Sequence, residues 1–327
     1  MFTRRHVVAA LGAGAAALGA ASRAHSEVVG KLTRMIVGFA PGGSSDVVAR
    51  LIADQMKGYA STMIIDNRPG AGGRIAMEVA KTSAADGSAM VLTPASMIVL
   101  YPHLYKPLGY DPLRDFIAVT TVCAFPFVVS AGPMVPGEVK TLADFVAWCK
   151  ANPRLASYGT SGAGSMLHFA GMMLARAANF EFTHVPYKGA SPALQDLLGG
   201  QVASTIGVLG IALPHIQSGK LRALATSGAE RSPFLPDVPT LKEAGYPGLE
   251  IVEWQGLFVP ARTPPAIVDE LNRAVRAALA TSEVRAGLGK QAFDVGGTSP
   301  AEFARLVQAD IERWGPIVRE SGFTPEN

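Results

Sequence analysis

The sequence predicts an α/β protein built from two doubly wound units, each a sheet flanked by helices. Short apolar runs alternate with segments whose apolar residues recur at helical spacing, a rhythm typical of doubly wound sheets. Residues 116–130 form a longer β-rich run that no helix interrupts, long enough to leave one sheet and enter another. A chain of 327 residues, 49% of them hydrophobic, is large enough for two such units.

The first unit is predicted to contain three strands. Residues 34–39 form the first strand, and the loop APGGSSD leads into a helix that begins near Val47. A second strand over residues 63–66 is followed by the loop NRPGAGG and a helix over residues 75–81. Residues 89–93 form the third strand. Ligands of such sheets collect beyond the carboxyl ends of the strands, so these loops are candidate binding elements.

The second unit repeats the alternation after the long β-rich run. Its elements are predicted, in order, as helix 141–151, strand 155–159, helix 165–179, strand 181–186, helix 190–199, strand 202–209, helix 211–217 and strand 221–226. A return crossing is predicted at residues 255–260, and helices at 264–280, 282–290 and 299–320 close the chain. Two crossings make the first domain discontinuous. Domain 1 is expected to hold residues 27–126 and 227–327, and domain 2 residues 127–226.

The amino terminus has the pattern of an export signal. Residues 1–24 combine a positive start at Arg4-Arg5, an apolar stretch from Val7 to Ala21 and small residues at a cleavage site that ends at Ala24. The apolar stretch is shorter than the roughly 20 residues that a membrane-spanning helix needs. The paired arginines fit both a twin-arginine signal and a Sec signal, so the export route stays open. We expect a mature periplasmic protein without stable membrane insertion.

Composition argues against several classes of function. Three basic residues and no acidic residue lie in the signal segment, so the mature chain carries equal numbers of basic and acidic residues. Without net positive charge or a basic cluster, nucleic-acid binding is not expected. The histidines and cysteines have no metal-ligand spacing, and neither a metal nor another cofactor is expected. Cys123 and Cys149 could pair in an oxidising compartment, but their strand-like and helical surroundings favour free thiols.

The segment from Gly159 to Ser165, GTSGAGS, is the strongest candidate for a site. It nearly matches the hydrolase motif G-x-S-x-G, but Ala163 stands where the second glycine belongs. His168 follows Ser165 by three residues on the same predicted helix face, yet the sequence indicates no acid that would orient it. An exported serine hydrolase that uses Ser161 or Ser165 stays an alternative, and no catalytic residue is assigned.

The same segment is better suited to binding an anion. A strand that ends near Gly159 runs through small residues into a helix, so backbone N–H groups and the helix dipole converge there. The hydroxyls of Thr160, Ser161 and Ser165 lie in the same short stretch. No Asp or Glu occurs between residues 144 and 181, so nothing local competes with a bound carboxylate. A simple tight turn with Ser165 as helix cap is the other interpretation.

Residues 41–46, PGGSSD, form a second strand-to-helix turn with a different expected role. Asp46 lies in the first turn of the helix, where its carboxylate satisfies free N–H groups. This loop is therefore the weaker anion site, and Asp46 either fixes the loop or meets a cationic group. Capping of the helix by Ser44 or Ser45 together with Asp46 is expected in both cases.

Seven motifs occur in order along the chain and together resemble one family. They are PGGSSDVVAR, DNRPGAGGRIA, YDPLRDF, SYGTSGAGSMLH, HVPYKGASPALQDLLGGQV, SGKLRALATSGAERSPFLPDVPTLKEAG and WQGLFVPARTPPAIVDELN. This order closely resembles the extracytoplasmic solute receptors of the tripartite tricarboxylate transporter family, also called Bug receptors. The resemblance implies a two-domain periplasmic binding protein of the Venus-flytrap type. Such a protein holds a small carboxylate or related metabolite between its domains.

The resemblance also implies where the ligand lies. Its carboxylate is expected against residues 159–165, with residues 39–46 closing from the other domain partly through water. Thr93, Ser96 and the turn over residues 185–189 face the same cleft if both sheets point their carboxyl ends inward. The expected ligand-binding residues are Phe39, Gly42, Gly43, Ser45, Asp46, Thr93, Ser96, Thr160, Ser161, Gly162, Ala163, Gly164, Ser165, His168 and Lys188.

One departure from the family pattern bears on the ligand. Residues 206–210, IGVLG, are apolar where members often carry polar side chains, so a second polar group on the ligand would lack a partner. We expect a monocarboxylate, or a carboxylate with an apolar or aromatic body, rather than citrate. The chain is expected to act as a monomer that hands its ligand to membrane transporter subunits or to a sensor. An adaptor that recognises protein through a shallow cleft is a further alternative.

Overall fold

The structure is a computed structural model that describes residues 32–325, so the predicted signal segment lies outside the described residues. The strands are β1 (Leu32–Val37), β2 (Thr62–Asn67), β3 (Ala89–Pro94), β4 (Phe116–Ala131), β5 (Ser157–Thr160), β6 (Thr183–Pro186), β7 (Ser204–Val208), β8 (Arg222–Thr226), β9 (Val252–Pro260) and β10 (Asp294–Val295). The α-helices are α1 (Ser44–Ala53), α2 (Arg74–Lys81), α3 (Tyr101–Leu104), α4 (Leu142–Ala151), α5 (Met166–Ala178), α6 (Ala190–Leu198), α7 (Leu209–Gln217), α8 (Pro265–Ala280), α9 (Ser282–Lys290) and α10 (Pro300–Ser321).

Strand β4 is shared by two sheets. It pairs antiparallel with β9 from Phe116 to Pro126, and from Phe127 onward it pairs antiparallel with β7 and β8. Sheet A has the order β2-β1-β3-β9-β4, with β10 also on β4. Sheet B continues from β4 through β7 and β5 to β6, with β8 also on β4. The prediction that residues 116–130 leave one sheet and enter another is therefore confirmed.

The chain returns to sheet A earlier than predicted. Strand β9 begins at Val252 and pairs with β3 and β4 inside sheet A, so residues 255–260 are not themselves the crossing. The connection is made by residues 227–251, where the Ser227 hydroxyl donates to the Ile251 carbonyl and accepts from the Phe127 N–H. This segment carries no regular apolar period, which is why the sequence did not identify it. The exact domain boundaries stay predictions.

Parallel pairing places the candidate loops at strand ends. Strand β1 runs parallel to β2 and β3, and β5 runs parallel to β6 and β7. The loops after β1, β3, β5 and β7 therefore leave from carboxyl ends, which is where open α/β sheets bind ligands. The chain also forms an unpredicted helical segment directly after β3, with a π-helical turn over Ser96–Leu100 that continues into α3.

One cluster of buried apolar side chains extends through both sheets, from Met35 in β1 through Phe127 in β4 to Tyr158 in β5. Trp254 belongs to this core, and its indole N–H donates to Asp310 Oδ2 at 2.8 Å. Cys123 and Cys149 are both buried free thiols. Within the described residues, no helix is both long and apolar enough to cross a membrane.

Candidate functional site

The loop between β5 and α5 is shaped by its own side chains. We call residues 159–165 the cradle. Ser165 is the N-cap of α5, since its hydroxyl accepts the His168 N–H at 3.3 Å and donates to the Gly162 carbonyl at 2.8 Å. Gly164 has φ +73°, a left-handed conformation that glycine adopts without strain, and its N–H donates to His168 Nδ1 at 3.2 Å. The predicted helix cap is confirmed.

The amino end of α5 keeps hydrogen-bond donors available. The Ala163 and Leu167 N–H groups form no hydrogen bond with any group in residues 32–325, while the Met166 N–H donates to Ser96 Oγ at 3.2 Å. No acidic side chain lies in the first turn of α5. The helix therefore carries no acid of its own at the positive end of its dipole, and the arrangement favours an anion.

Two stacked imidazoles lie behind the cradle. The rings of His168 and His184 are 3.9 Å apart between centroids and nearly parallel. Burial lowers the pKa of His168 to about 4, and burial together with His168 lowers the pKa of His184 to about 3, so both rings are neutral near pH 7. His184 Nε2 lies 2.8 Å from Thr160 Oγ1, which also donates to the Gly162 carbonyl. Both histidines thus position the loop, and direct ligand contact by His168 stays a prediction.

The geometry does not resemble that of a serine hydrolase. In the described part of the chain, neither Ser161 nor Ser165 bonds to an imidazole, because the Ser165 hydroxyl is held by backbone groups. The hydroxyl–imidazole pair at the cradle is that of Thr160 with His184. Thr160 is buried, and an imidazole with a pKa near 3 is a weak base.

In sheet A, the loop over residues 39–46, which follows β1, is closed by Asp46. This buried carboxylate accepts the Gly42 N–H at 2.9 Å, one Asn67 N–H at 3.0 Å, and two N–H groups of Arg50 at 2.9 Å each. Burial alone would raise the pKa of Asp46, but the hydrogen bonds from Arg50, Gly42 and Asn67 hold it below its ordinary value. Asp46 therefore fixes the loop, one of its two predicted roles.

The predicted capping of α1 by Ser44 or Ser45 is wrong. Gly43 occupies the N-cap position and forms no side-chain cap hydrogen bond. The Asp46 carboxylate reaches back to the Gly42 N–H instead, so no serine hydroxyl is needed to close the turn. Phe39, at the start of the loop, is 37% exposed. Within residues 32–325, no hydrogen bond joins this loop to the cradle.

The remaining predicted site residues fall into different surroundings. Ser96 is buried and accepts the N–H of Met166, the first residue of α5 and the residue directly after the cradle. Thr93 is buried too, but its hydroxyl donates to the neighbouring Pro94 carbonyl. Lys188 is exposed in the turn after β6, which is tied to the cradle by a hydrogen bond of 3.2 Å from the Gly189 N–H to the Ser161 carbonyl. The structure thus places Ser96 at the start of α5, whereas the Thr93 hydroxyl bonds to the next residue of its own strand.

A small cavity of about 30 Å³ opens beside the cradle. Thr160, Ser161 and Thr205 line its polar side. Its apolar wall is formed mainly by Leu167, Ala193, Leu194, Ile206, Val208 and Ile211. An anion held at the cradle would therefore have apolar surface next to it.

Glu253 is a residue that sequence reasoning missed. It lies in β9 with 6% of its surface exposed, and its Oε1 accepts from both the Ser96 hydroxyl at 2.7 Å and the Ser96 N–H at 3.3 Å. Burial raises its pKa to about 6, although the bonds from Ser96 oppose this shift. The available signal was the single acidic residue in the mostly apolar run VEWQGLFVP.

Known proteins share this fold and much of this sequence. The family profile of the tripartite tricarboxylate transporter family receptor matches residues 48–323. The protein BugT from Bordetella pertussis is 34% identical over 88% of this chain and 89% of its own length. An R. palustris protein solved with adipate is 34% identical with a TM-score of 0.83, covering 90% of this chain and 98% of that one.

Two more solved structures are similar over nearly their whole length. The periplasmic binding protein BugD is 30% identical with a TM-score of 0.80, over 90% of this chain and 99% of that one. MatC from Rhodopseudomonas palustris, solved with bound malate, is 34% identical with a TM-score of 0.79, over 88% of this chain and 99% of that one. With its two-domain α/β fold, this chain belongs to the tripartite tricarboxylate transporter receptor family of periplasmic solute-binding proteins.

Proposed function

We propose that this receptor captures a small carboxylate whose charged end binds the cradle and whose apolar body lies along the neighbouring cavity wall. The observation that carries the proposal is the amino end of α5, which offers the Ala163 and Leu167 N–H groups and has no acid in its first turn. Charge-assisted hydrogen bonds to such groups contribute about 1.5 to 3 kcal/mol each. The adipate and malate found in two related proteins are carboxylates as well, but each carries two carboxyl groups.

The cavity supports a ligand with an apolar body. Ile206 and Val208 belong to the run that the sequence identified as apolar, and Leu194 and Ile211 extend the same wall. A second charged group placed against these side chains would be desolvated without a partner, which is unfavourable. Monocarboxylates with an aliphatic or aromatic body should therefore bind more tightly than malate or citrate.

The cellular role follows from the family. We expect cleavage of the signal segment near Ala24, a monomeric mature receptor in the periplasm, and delivery of the ligand to membrane transporter subunits or to a sensor. We expect neither a cofactor nor catalytic turnover at this site.

Titration calorimetry with hexanoate, benzoate, malate and citrate tests the ligand class. We expect the first two to bind at least about tenfold more tightly, because malate and citrate would place a further carboxylate against the apolar wall without a partner. Val208→Thr keeps the side-chain shape but adds a hydroxyl to the cavity wall, and should weaken hexanoate about tenfold while leaving acetate unchanged. Val91→Thr in β3, a buried valine of sheet A whose strand does not line the cavity, is the matched control. Equal affinity for citrate and hexanoate would contradict the proposal.

A further inference from the structure

A buried hydrogen-bonded chain links the two sheets directly at the candidate site. The Ser96 hydroxyl donates to Glu253 Oε1 at 2.7 Å and accepts the Met166 N–H at 3.2 Å. Glu253 lies in β9 of sheet A, whereas Met166 begins α5 beside sheet B. The carboxylate of Glu253 therefore lies about two hydrogen-bond lengths from the helix end that we assign to the ligand.

The Ser96 hydroxyl has one proton, and the group to which it donates that proton depends on the protonation state of Glu253. With Glu253 ionised, that proton is held by the carboxylate, and Ser96 presents a lone pair to the Met166 N–H. Once Glu253 takes up a proton from solvent, its carboxylic O–H can donate to Ser96 Oγ, and the Ser96 proton is free to point towards a ligand oxygen. Protonation of Glu253 thus allows the Ser96 hydroxyl to donate to a ligand at the start of α5 instead of to Glu253.

Repulsion between an ionised Glu253 and a bound carboxylate also favours protonation of Glu253. No salt bridge within residues 32–325 includes Glu253, so an ionised Glu253 and a bound carboxylate would share a poorly hydrated space without a cation between them. Tyr101 from the segment after β3 and Cys123 from β4 interact electrostatically with Glu253, and burial raises the pKa of both far above neutrality. Both are therefore uncharged neighbours.

Two further groups complete the surroundings. His168, on α5, has a pKa near 4 and is neutral above pH 5. Arg74 acts on Tyr101, but its guanidinium lies over the Tyr105 ring, 3.9 Å from the centroid, and forms no ion pair with Glu253 in the described structure. Between pH 5.5 and 8, Glu253 is thus the group of this set that titrates, since burial raises its pKa to about 6.

We propose that Glu253 makes ligand capture proton-linked: a carboxylate binds at the amino end of α5 together with one proton taken up by Glu253, and Ser96 transmits that protonation to the ligand. This inference rests on the proposed function. Carboxylate affinity should fall as the pH rises from 6 to 8, approaching tenfold per pH unit, the limit for coupling to a single proton.

Calorimetry with hexanoate as the probe tests the coupling. Wild-type protein is titrated from pH 5.5 to 8, and at pH 7.5 in buffers of different protonation enthalpy, which yields the number of protons bound per ligand. We expect uptake close to one proton for the wild type and close to zero for Glu253→Gln, which keeps the shape and an acceptor for Ser96. At pH 8 the Gln variant should bind hexanoate more tightly than the wild type, by about tenfold or more. Ser96→Ala should lose affinity at pH 5.5 and shift the pH profile less than the Gln variant.

Each other outcome has a definite meaning. Hexanoate binding that is independent of pH, without proton uptake, would overturn the role of Glu253 and leave the carboxylate function intact. Hexanoate affinity that rises with pH would show that an ionised Glu253 does not oppose carboxylate binding, which also overturns it. Absence of hexanoate binding at every pH would overturn the proposed function and this inference together. If Glu253→Gln does not fold, the number of protons that the wild type takes up per hexanoate tests the proposal: a value near one supports it, and a value near zero overturns it.

Discussion

The loop over residues 39–46 and the cradle have similar compositions and both lead from a strand into a helix, but different groups hold them in place. In the loop over residues 39–46, the acidic side chain of Asp46 satisfies the loop and pairs with Arg50. In the cradle, no acid lies in the first turn of α5, and neutral histidines support the backbone from behind. On the proposed function, glycine and serine content alone does not make an anion site. The decisive difference is whether the loop contains its own carboxylate.

Giving the cradle a carboxylate of its own should remove this difference. Gly162 is the position to use, because a Cβ there meets no atom within 4 Å, whereas Gly164 has a φ that strains other residues. Gly162→Asp should weaken hexanoate binding more than about 100-fold, since two like charges about 5 Å apart repel by roughly 3 kcal/mol at an effective dielectric constant near 20. Calorimetry measures the change.

Gly162→Asn is the matched control, as it has the same shape without the charge. We expect its affinity to stay within about threefold of the wild type. If both variants bind hexanoate as tightly as the wild type, the carboxylate binds elsewhere. If both lose binding equally, shape rather than charge is responsible.

Acid should affect the two loops at different pH values. The pKa of His168 is lowered to about 4 and that of His184 to about 3, so each contributes stability that is present above pH 6.5 and lost as the pH falls towards these values. Glu253, whose pKa is raised to about 6, acts in the opposite sense and contributes stability that is lost as the pH rises through 6. Two histidines outweigh one carboxyl, and we expect a net loss of about 2 kcal/mol of unfolding free energy between pH 7 and 5.

Denaturant unfolding across this pH range measures the loss. His184→Phe should remove most of this pH dependence, because the one remaining histidine is largely offset by Glu253, which acts in the opposite sense. The Asp46 loop should stay intact over the same range, since the pKa of Asp46 lies below its ordinary value of 3.8. Stability that rises as the pH falls from 7 to 5 would contradict the assignment of buried neutral imidazoles.

Removing the carboxylate of the other loop gives the converse test and a smaller effect. Asp46→Asn loses the charge that holds Arg50 and keeps one oxygen as acceptor, and we expect about 1 to 2 kcal/mol less stability. Hexanoate affinity should fall less than tenfold, because the cradle is untouched. Arg50→Met separates loss of the ion pair from loss of the loop hydrogen bonds to Gly42 and Asn67. An affinity loss as large as that of Gly162→Asp would mean that this loop holds the carboxylate.

Most helices and strands could be predicted from the sequence, because the spacing of apolar residues marks each element and glycine-rich turns mark its ends. It located β5, α5 and the Ser165 cap, and it identified the apolar run that contains Ile206. The Ser44 or Ser45 cap failed because a sequence does not show which of several neighbouring acceptors reaches the free N–H groups. Asp46 accepts the Gly42 N–H before the helix, and its carboxylate is held in place by Arg50 and by Asn67, which is 21 residues away.

Long-range contacts explain what the sequence missed. The bond between Glu253 and Ser96 joins residues 157 positions apart, and no local pattern encodes it. His184 supports the cradle from a separate strand, so its contact with Thr160 depends on the parallel pairing of β5 and β6. Buried polar pairs of this kind are specified by tertiary structure, whereas caps and turns are specified by neighbours.

A crystal structure of the protein with hexanoate tests the central claim most directly. We expect one ligand oxygen at about 2.7 to 3.2 Å from the backbone nitrogen of Ala163, Met166 or Leu167, with the aliphatic chain against Ile206 and Val208. Movement of the Ser96 hydroxyl away from the Met166 N–H should accompany it. A carboxylate bound to the loop over residues 39–46, with the cradle unchanged, would contradict the claim.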